Sequence, residues 1–150
     1  MKRLPCLALA AVALAACGGN GNARLSKSQY EDKLRSSFAL PLLVVNSPPS
    51  KAVDALGQVA ARFGDIASRL SHLRAPTDVQ ALNKQLVDGA SRVSAVLGAL
   101  VATARDAPAA FRNRLLAEFD PAHIAGLDEF ERAAAELEAK GYKFRPTGGT

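Results

Sequence analysis

The sequence is poor in the side chains that most often carry chemistry. Among 150 residues there are two cysteines, two histidines and no tryptophan, and aromatic residues make up 5% of the chain. The zinc-protease motif H-E-x-x-H, the serine-hydrolase motif G-x-S-x-G, the P-loop and the dinucleotide motif G-x-G-x-x-G are all missing. The Glu-x-x-His pair of di-iron bundles is missing as well. No motif in the sequence therefore indicates an enzyme.

Long hydrophobic runs are also missing. No stretch approaches the ~20 consecutive apolar residues that cross a bilayer, although 49% of the residues are hydrophobic. That share is too high for a disordered chain. A length of 150 residues suits a single domain with a substantial core.

The N-terminus has the organisation of an export signal, with Lys2 and Arg3 followed by a short uncharged apolar stretch. That stretch ends in Leu14-Ala15-Ala16-Cys17, which resembles the lipobox of bacterial lipoproteins. The resemblance implies that residues 1–16 are a signal peptide and that Cys17 carries a diacylglyceryl group and further acyl chains such as palmitate. The alternative is an ordinary secretory signal with a chance cysteine.

If the chain is processed at this site, the mature protein would be anchored to a membrane and would have no free thiol. The mature chain would begin at Cys17, anchored by lipid to the extracytoplasmic face of the cell membrane, with residues 17–24 as a Gly/Asn-rich tether. Cys6 would be removed with the signal, so no thiol would be left for a disulfide, a metal or catalysis. Loss of Lys2 and Arg3 reduces the net charge from +5 to +3.

Apolar residues recur at three- and four-residue spacing along the chain, as in amphipathic helices. Helices are predicted over residues 51–73 and 78–104, with a short connection that favours antiparallel neighbours. Gly89 lies on the apolar seam of the later helix and predicts the close approach of another helix. The seam residues are Val53, Leu56, Val59, Phe63, Ile66, Leu70 and Leu73, then Val79, Leu82, Leu86, Val93, Val96, Leu97 and Leu100.

Helix ends are marked by capping signals. Residues 26–29 (SKSQ) and 77–80 (TDVQ) both fit a capping box, and Leu25 with Tyr30 fits a hydrophobic staple at the first of them. Tyr30, Leu34 and Phe38 would share one face of this first helix. Pro41 would end or kink this helix, and residues 40–45, which contain it, fit either a continued helix or an extended connection.

The C-terminal third predicts two further helices. A short one begins after Pro108 and carries Phe111, Leu115 and Phe119, and the last begins at Asp120-Pro121 with Asp as N-cap. Gly141 predicts a Schellman ending in which Tyr142 packs on Leu137. The apolar residues of the last helix are Ile124, Leu127, Phe130, Ala134 and Leu137.

No strand pattern competes with these helices. The sequence therefore predicts an all-α fold, an up-down helical bundle of four to five helices over residues 25–144, followed by a disordered polar tail at 145–150.

The candidate reactive residues are few. His72 and His123 are predicted near helix ends and exposed, and a metal site built on both would need the two ends to meet. An acidic set in the last helix is predicted to be solvated, with the pairs Asp128–Arg132 and Glu136–Lys140. It comprises Asp128, Glu129, Glu131, Glu136 and Glu138. No cofactor is predicted.

The basic residues are dispersed and no exposed aromatic ladder accompanies them, so nucleic-acid binding is not expected despite the excess positive charge. They include Arg62, Arg69, Arg74, Arg105, Arg112 and Arg114.

Three short segments resemble small exported helical proteins and lipoproteins of actinobacteria. They are the frame LSKSQY at 25–30, the joint LRAPTD at 73–78 and the closing KGY at 140–142. Those proteins often carry a His early in the third helix, where this chain has Asn83. The family has no assigned activity, so the resemblance implies an exported helical lipoprotein and no functional residues.

Three functions fit the sequence. The first is a non-catalytic envelope lipoprotein that binds a protein partner or an apolar ligand. The second is an envelope hydrolase or metal-binding protein whose site is assembled from dispersed residues. The third is a structural spacer.

Overall fold

The computed structural model describes residues 23–38, 49–120 and 123–145. These residues are 79% helical and contain no strand, which confirms the all-α prediction with five α-helices. Residues 40–45, whose conformation the sequence left open, lie outside the described part. The elements are α1 (Lys27–Phe38), α2 (Pro49–Ser71), a 3-10 turn (Thr77–Val79), α3 (Gln80–Asp106), α4 (Ala109–Ala117) and α5 (Leu127–Ala139).

The two long helices, α2 and α3, form the centre of the fold because each presents an apolar seam to the other. Asn83 at the start of α3 donates to the carbonyl of Leu70 at the end of α2. Ser94 in mid-α3 donates to the carbonyl of Ala60. Gly57, early in α2, lies beside Val101 near the end of α3. The two helices are therefore antiparallel and are connected through residues 72–76, here called the joint.

The first and last described segments of the chain both pack at the joint. The amide of Leu25, just before α1, donates to the carbonyl of Arg74 at 2.9 Å. The hydroxyl of Tyr142, just after α5, donates to Asp78 in the 3-10 turn. The N-termini of α1 and α3 and the C-termini of α2 and α5 thus lie together, at what we call the joint end. The opposite end, formed by α4 with the start of α2 and the end of α3, is the distal end.

Gly89 is where α5 crosses α3, as its position on the seam predicted. A Cβ at this position would lie 2.8 Å from the carbonyl oxygen of Gly126 and 2.9 Å from Cβ of Phe130. Side chains do not fit at that distance, so glycine is needed for the backbones to approach.

The capping predictions have mixed outcomes. At the start of α1 the box is present, since the Gln29 amide donates to the Ser26 hydroxyl and the Ser26 amide donates to Oε1 of Gln29. The Schellman ending is also present: Gly141 has φ 80°, and the Tyr142 amide donates to the Leu137 carbonyl at 3.1 Å.

Two of the predicted helix starts are wrong. The box at Thr77 does not form, because Thr77 begins a 3-10 turn and the N-cap of α3 is Val79, without a side-chain capping bond. The last helix does not begin at Asp120. It begins at Leu127, after Gly126 in the left-handed region at φ 93°, because the chain first has to bring Gly126 against α3 at Gly89.

The core consists of two apolar clusters. The joint cluster contains Tyr30, Leu34, Leu70, Leu86, Phe130, Leu137, Tyr142 and Phe144 among its buried members. The distal cluster contains Val53, Leu56, Ala60, Val93, Leu97, Val101 and Ala104. Most predicted seam residues are members or pack against one, but Val96 is 39% exposed and Phe111 on α4 is 51% exposed.

The segment Thr77–Asp106, which contains α3, is long and apolar enough to cross a membrane by length and composition alone, contrary to the sequence-based expectation. Mostly buried core helices of soluble proteins pass the same test, and 33% of the apolar window is buried in this domain. In this structure α3 packs against both α2 and α5 and contributes residues to both apolar clusters.

Candidate functional site

Cys17, the predicted lipidation site, and the rest of the predicted signal lie outside the described residues. The described chain starts at Ala23, and its first contacts tie it to the joint. Besides the Leu25 bond, Nη1 of Arg24 donates to the carbonyl of Ala75 at 3.0 Å. The segment that would carry the anchor therefore enters the domain at the joint end.

The joint end also holds a buried chain of hydrogen bonds. The hydroxyl of Tyr30 on α1 donates to Oδ1 of Asn83 at 2.9 Å, and Nδ2 of Asn83 donates to the Leu70 carbonyl at 3.2 Å. Tyr30 and Asn83 are both buried. A buried amide is tolerated only when its groups are bonded, so this chain of bonds fixes α1 against both α2 and α3.

A second tyrosine extends this arrangement to the C-terminal segment. The ring of Tyr142 packs edge-on against the ring of Tyr30, with centroids 5.8 Å apart. Its hydroxyl donates to both carboxylate oxygens of Asp78, and Nζ of Lys27 lies 4.9 Å from its ring centroid. Lys27 is placed for a cation–π contact. We call Tyr30, Asn83, Tyr142, Asp78 and Lys27 the tyrosine cluster.

Both tyrosines keep their protons. Burial raises the pKa of Tyr30, and the neighbouring Tyr142 adds to the effect. Burial, the hydrogen bond to Asp78 and the charges of Asp78 and Glu31 raise the pKa of Tyr142 to about 12. A raised tyrosine pKa favours the neutral hydroxyl, which donates a hydrogen bond. The cluster therefore acts as a set of hydrogen-bond donors that hold three elements together.

Sequence reasoning missed this cluster. The hydrophobic-staple pattern treats Tyr30 as an apolar residue, and no capping or catalytic motif of the sequence includes Asn83. The available signal was a polar residue on an otherwise apolar seam: Asn83 follows Leu82 and precedes Leu86 on the face that α3 buries.

The two histidines do not meet. His72 lies in the joint and is exposed. His123 lies before α5, is exposed, and pairs with Asp120 through Nδ1 at 2.6 Å. The 13 residues of α5 separate the level of His123 from the joint end, which is about 20 Å of helix. Within the described residues no group of three or more His, Cys, Asp or Glu is placed to hold a metal ion.

The acidic set of α5 makes different ion pairs from those predicted. Neither Asp128–Arg132 nor Glu136–Lys140 forms. Instead Glu129 pairs with Arg92 of α3 at 2.7 Å, and Glu138 pairs with Arg145 at 3.4 Å. Helical spacing cannot reveal partners on other elements, and an i,i+4 pair is worth only ~0.3–0.5 kcal/mol, so a contact across elements easily replaces it.

A shallow groove runs between α2 and α3 on the surface. Its volume is about 390 Å³, and serine, alanine and glycine provide most of its lining. The lining residues are Gly64, Ala67, Ser68, Ser71, Val87, Ser91, Ser94 and Ala95. Because these side chains are small, the groove is accessible to another backbone or to a flat apolar group.

Arg62 on α2 has an unusual environment. Its Nη1 is buried without a hydrogen-bond partner, the only such side-chain nitrogen or oxygen found in the described part of the chain. A buried guanidinium N–H without an acceptor costs free energy.

The chain matches no protein-family model, no curated protein and no solved structure.

Proposed function

We propose that this protein is a membrane-anchored extracytoplasmic lipoprotein whose helical domain binds an envelope protein partner or an apolar ligand without catalysing a reaction. The observation that carries the proposal is the N-terminal sequence: a basic start, an uncharged apolar stretch and Leu14-Ala15-Ala16-Cys17 in register. Lipid on Cys17 would hold the domain at the cell membrane.

The domain would be an up-down bundle in which α1 and α3 run away from the joint end while α2 and α5 run towards it. The contacts of Leu25 with Arg74 and of Tyr142 with Asp78 support this arrangement. α4 would close the distal end as a short connecting helix.

A role in binding is supported by two observations: the buried polar groups hold the helices together, and small residues line a groove on the surface. The buried tyrosines and Asn83 bond to one another, to Asp78 and to the backbone, so they hold the helices together. The groove between α2 and α3 is the surface we assign to an apolar ligand or a partner helix, because small residues allow close approach along its length.

The experiment that tests the anchor is intact mass spectrometry of the protein purified from its own membranes. We expect a chain that starts at Cys17 and carries added acyl mass. Cys17→Ser should leave the protein unacylated, with residues 1–16 still attached. Cys6→Ser is the matched control, since it removes the other cysteine and should leave processing unchanged.

An unmodified Cys17 in the wild-type protein would overturn the proposal. Native mass spectrometry of the same sample tests the second half of it: additional non-covalent mass gives the size of a carried ligand, and mass of the lipidated chain alone directs the search to protein partners.

A further inference from the structure

The charges of the domain are distributed unequally between its two ends. The segments that form the joint end, residues 23–31, 69–84 and 134–145, contain eight Lys and Arg against four Asp and Glu. The segments of the distal end, residues 49–62 and 99–120, contain five against four. The positive charge of the described domain is therefore concentrated at the joint end.

Much of this positive charge is available at the surface. Lys27, Lys140 and Lys143 are exposed, and none of them forms an ion pair with another described residue. Two acidic residues contribute negative charge at the same end: Asp78 accepts from the Tyr142 hydroxyl, and Glu31 accepts from the Lys143 amide at 3.0 Å.

The lysines lie close to the point where the chain enters the domain. Nζ of Lys27 would lie 3.3 Å from a Cβ at Gly141, which places it beside the 140–143 segment. Arg24, a further exposed cation, bonds to the carbonyl of Ala75 in the joint. Three segments that are far apart in sequence therefore contribute to one basic surface, which we define as Arg24, Lys27, Lys140 and Lys143.

Chain geometry limits how far this surface can be from the anchor. Five residues lie between Cys17 and Ala23, so the chain makes six residue-to-residue steps of ~3.3–3.6 Å and spans at most about 20 Å. α3, with 27 residues, extends about 40 Å. A lipid on Cys17 would keep the joint end near the bilayer, and this length alone permits the domain to stand upright or to lie on its side.

We propose that the basic surface of Arg24, Lys27, Lys140 and Lys143 contacts anionic lipid headgroups, so that the domain stands with its joint end on the membrane. The inference rests on the proposed lipidation of Cys17. Clustered lysines and arginines near an anchor are attracted by the negative surface potential of anionic bilayers. The distal end, close to electrical balance, would point away from the membrane together with the exposed Phe111.

The test measures the distance of each end from the bilayer in the lipidated full-length protein. Because Cys17 would be acylated and Cys6 removed, a cysteine introduced by Ser71→Cys or by Asn113→Cys is the only free thiol. Both positions are exposed, Ser71 at the joint end and Asn113 on α4. Each variant is labelled with a fluorophore and placed in vesicles that contain nitroxide-headgroup lipid as quencher.

In vesicles of phosphatidylglycerol and phosphatidylcholine we expect the label at position 71 to be quenched several-fold more than the label at position 113. The difference should shrink in pure phosphatidylcholine, and it should also shrink at high salt because screening shortens electrostatic reach to a few Å at ~1 M.

Two triple variants that each remove three positive charges distinguish an effect of the basic surface from an effect of the net charge. The triple change Lys27→Gln, Lys140→Gln and Lys143→Gln should reduce the difference between the labels. The triple change Lys51→Gln, Arg112→Gln and Arg114→Gln removes the same charge at the distal end and should leave the difference unchanged. Circular dichroism confirms that all variants are folded.

Equal quenching of the two labels in anionic vesicles, or the same difference in neutral vesicles and in the joint-end variant, would overturn the orientation. Intact mass of each sample separates this from a failure of the proposed function. An acylated protein without orientation contradicts the inference alone, whereas an unmodified Cys17 contradicts both.

Discussion

The two ends of the domain are closed in different ways. At the joint end, α1 and the segment after α5 cover the α2–α3 pair, and seven of the nine largest fully buried side chains belong to the joint cluster. At the distal end the cover is α4, which has no buried residue and exposes Phe111.

The difference shows which interactions hold covering segments on the ends of the α2–α3 pair. The joint end combines apolar burial with side-chain hydrogen bonds that link elements distant in sequence, such as Tyr30 to Asn83. The distal cluster is covered only by half-buried residues such as Leu115, Leu116 and Phe119. Regions with few buried apolar contacts open at low free energy, so we expect the distal end to be the more dynamic of the two.

The largest expected effect compares one leucine from each end. Leu86→Ala removes a fully buried side chain of the joint cluster and should lower the free energy of unfolding by about 3 kcal/mol. Leu116→Ala, on half-buried α4, should cost about 1 kcal/mol or less. Urea unfolding followed by circular dichroism measures both. Equal costs would show that α4 closes its end as firmly as the joint end is closed.

The next comparison uses two glycines of α3. Gly89→Ala would place Cβ against backbone atoms of Gly126 and Phe130, which cannot move without displacing α5, and should destabilise by about 2 kcal/mol. Gly98 has no atom within 4 Å of its Cβ position, so Gly98→Ala should stabilise by ~0.5–1 kcal/mol. Thermal melts measure the change in stability of both variants. An unchanged stability of Gly89→Ala would mean that α5 is not held tightly on α3.

Alkaline pH should weaken the joint end selectively. Because the pKa of Tyr142 is raised from 10.0 to about 12, the native state holds a proton that the unfolded state loses above pH 10. Stability is therefore complete below pH 10 and falls as the pH rises towards 12, by on the order of 2 kcal/mol for this group.

Denaturation midpoints measured across this range test the alkaline effect. Tyr142→Phe removes one of the two tyrosines whose pKa is raised and should make the decline less steep, while Tyr30 still contributes to it. A decline of the same steepness in Tyr142→Phe would exclude Tyr142 as its source.

A smaller effect isolates the buried hydrogen bond. Tyr30→Phe leaves Oδ1 of Asn83 without its donor and should cost about 1–2 kcal/mol. Replacing both partners, as in Tyr30→Phe with Asn83→Leu, should recover part of that loss because no orphaned amide oxygen remains. Additive losses in this double-mutant cycle would contradict a coupling between the two side chains.

The smallest expected effect is a stabilisation of the fold. Arg62→Met removes a buried guanidinium nitrogen that has no acceptor while retaining the apolar stem, and should raise the free energy of unfolding by about 0.5–1 kcal/mol. Arg69→Met, at an exposed position of the same helix, is the control and should be neutral. A destabilised Arg62→Met would show that the guanidinium is bonded in solution.

Local signals that depend on neighbouring residues were predictable. The Ser26–Gln29 box and the Gly141 ending formed as expected, since each requires only residues within one helical turn. The start of α5 was not predictable from Asp120-Pro121, because Gly126 is fixed by its packing against Gly89, 37 positions earlier in the chain. The predicted ion pairs within α5 do not form for the same reason, since Glu129 pairs with Arg92 on another helix.

The candidate functional residues also differ in whether neighbouring residues in the sequence could predict them. The anchor at Cys17 is a linear signal and stays a prediction from sequence alone. The tyrosine cluster and the basic surface are assembled from segments distant in sequence, and the one linear signal for either is the polar Asn83 on the apolar seam of α3.

By itself, the sequence determined that this chain is helical, which faces of α2 and α3 are apolar, and where glycine was needed on α3. Periodicity and capping act over one or two turns and are written in consecutive residues. Only the tertiary structure decided which end of the α2–α3 pair is closed firmly, which polar groups are buried together, and where the positive charge collects. These depend on contacts of Tyr30 with Asn83, Tyr142 with Asp78 and Lys143 with Glu31, which join residues 53, 64 and 112 positions apart. The free energy of such contacts is set by burial and geometry that no local pattern encodes.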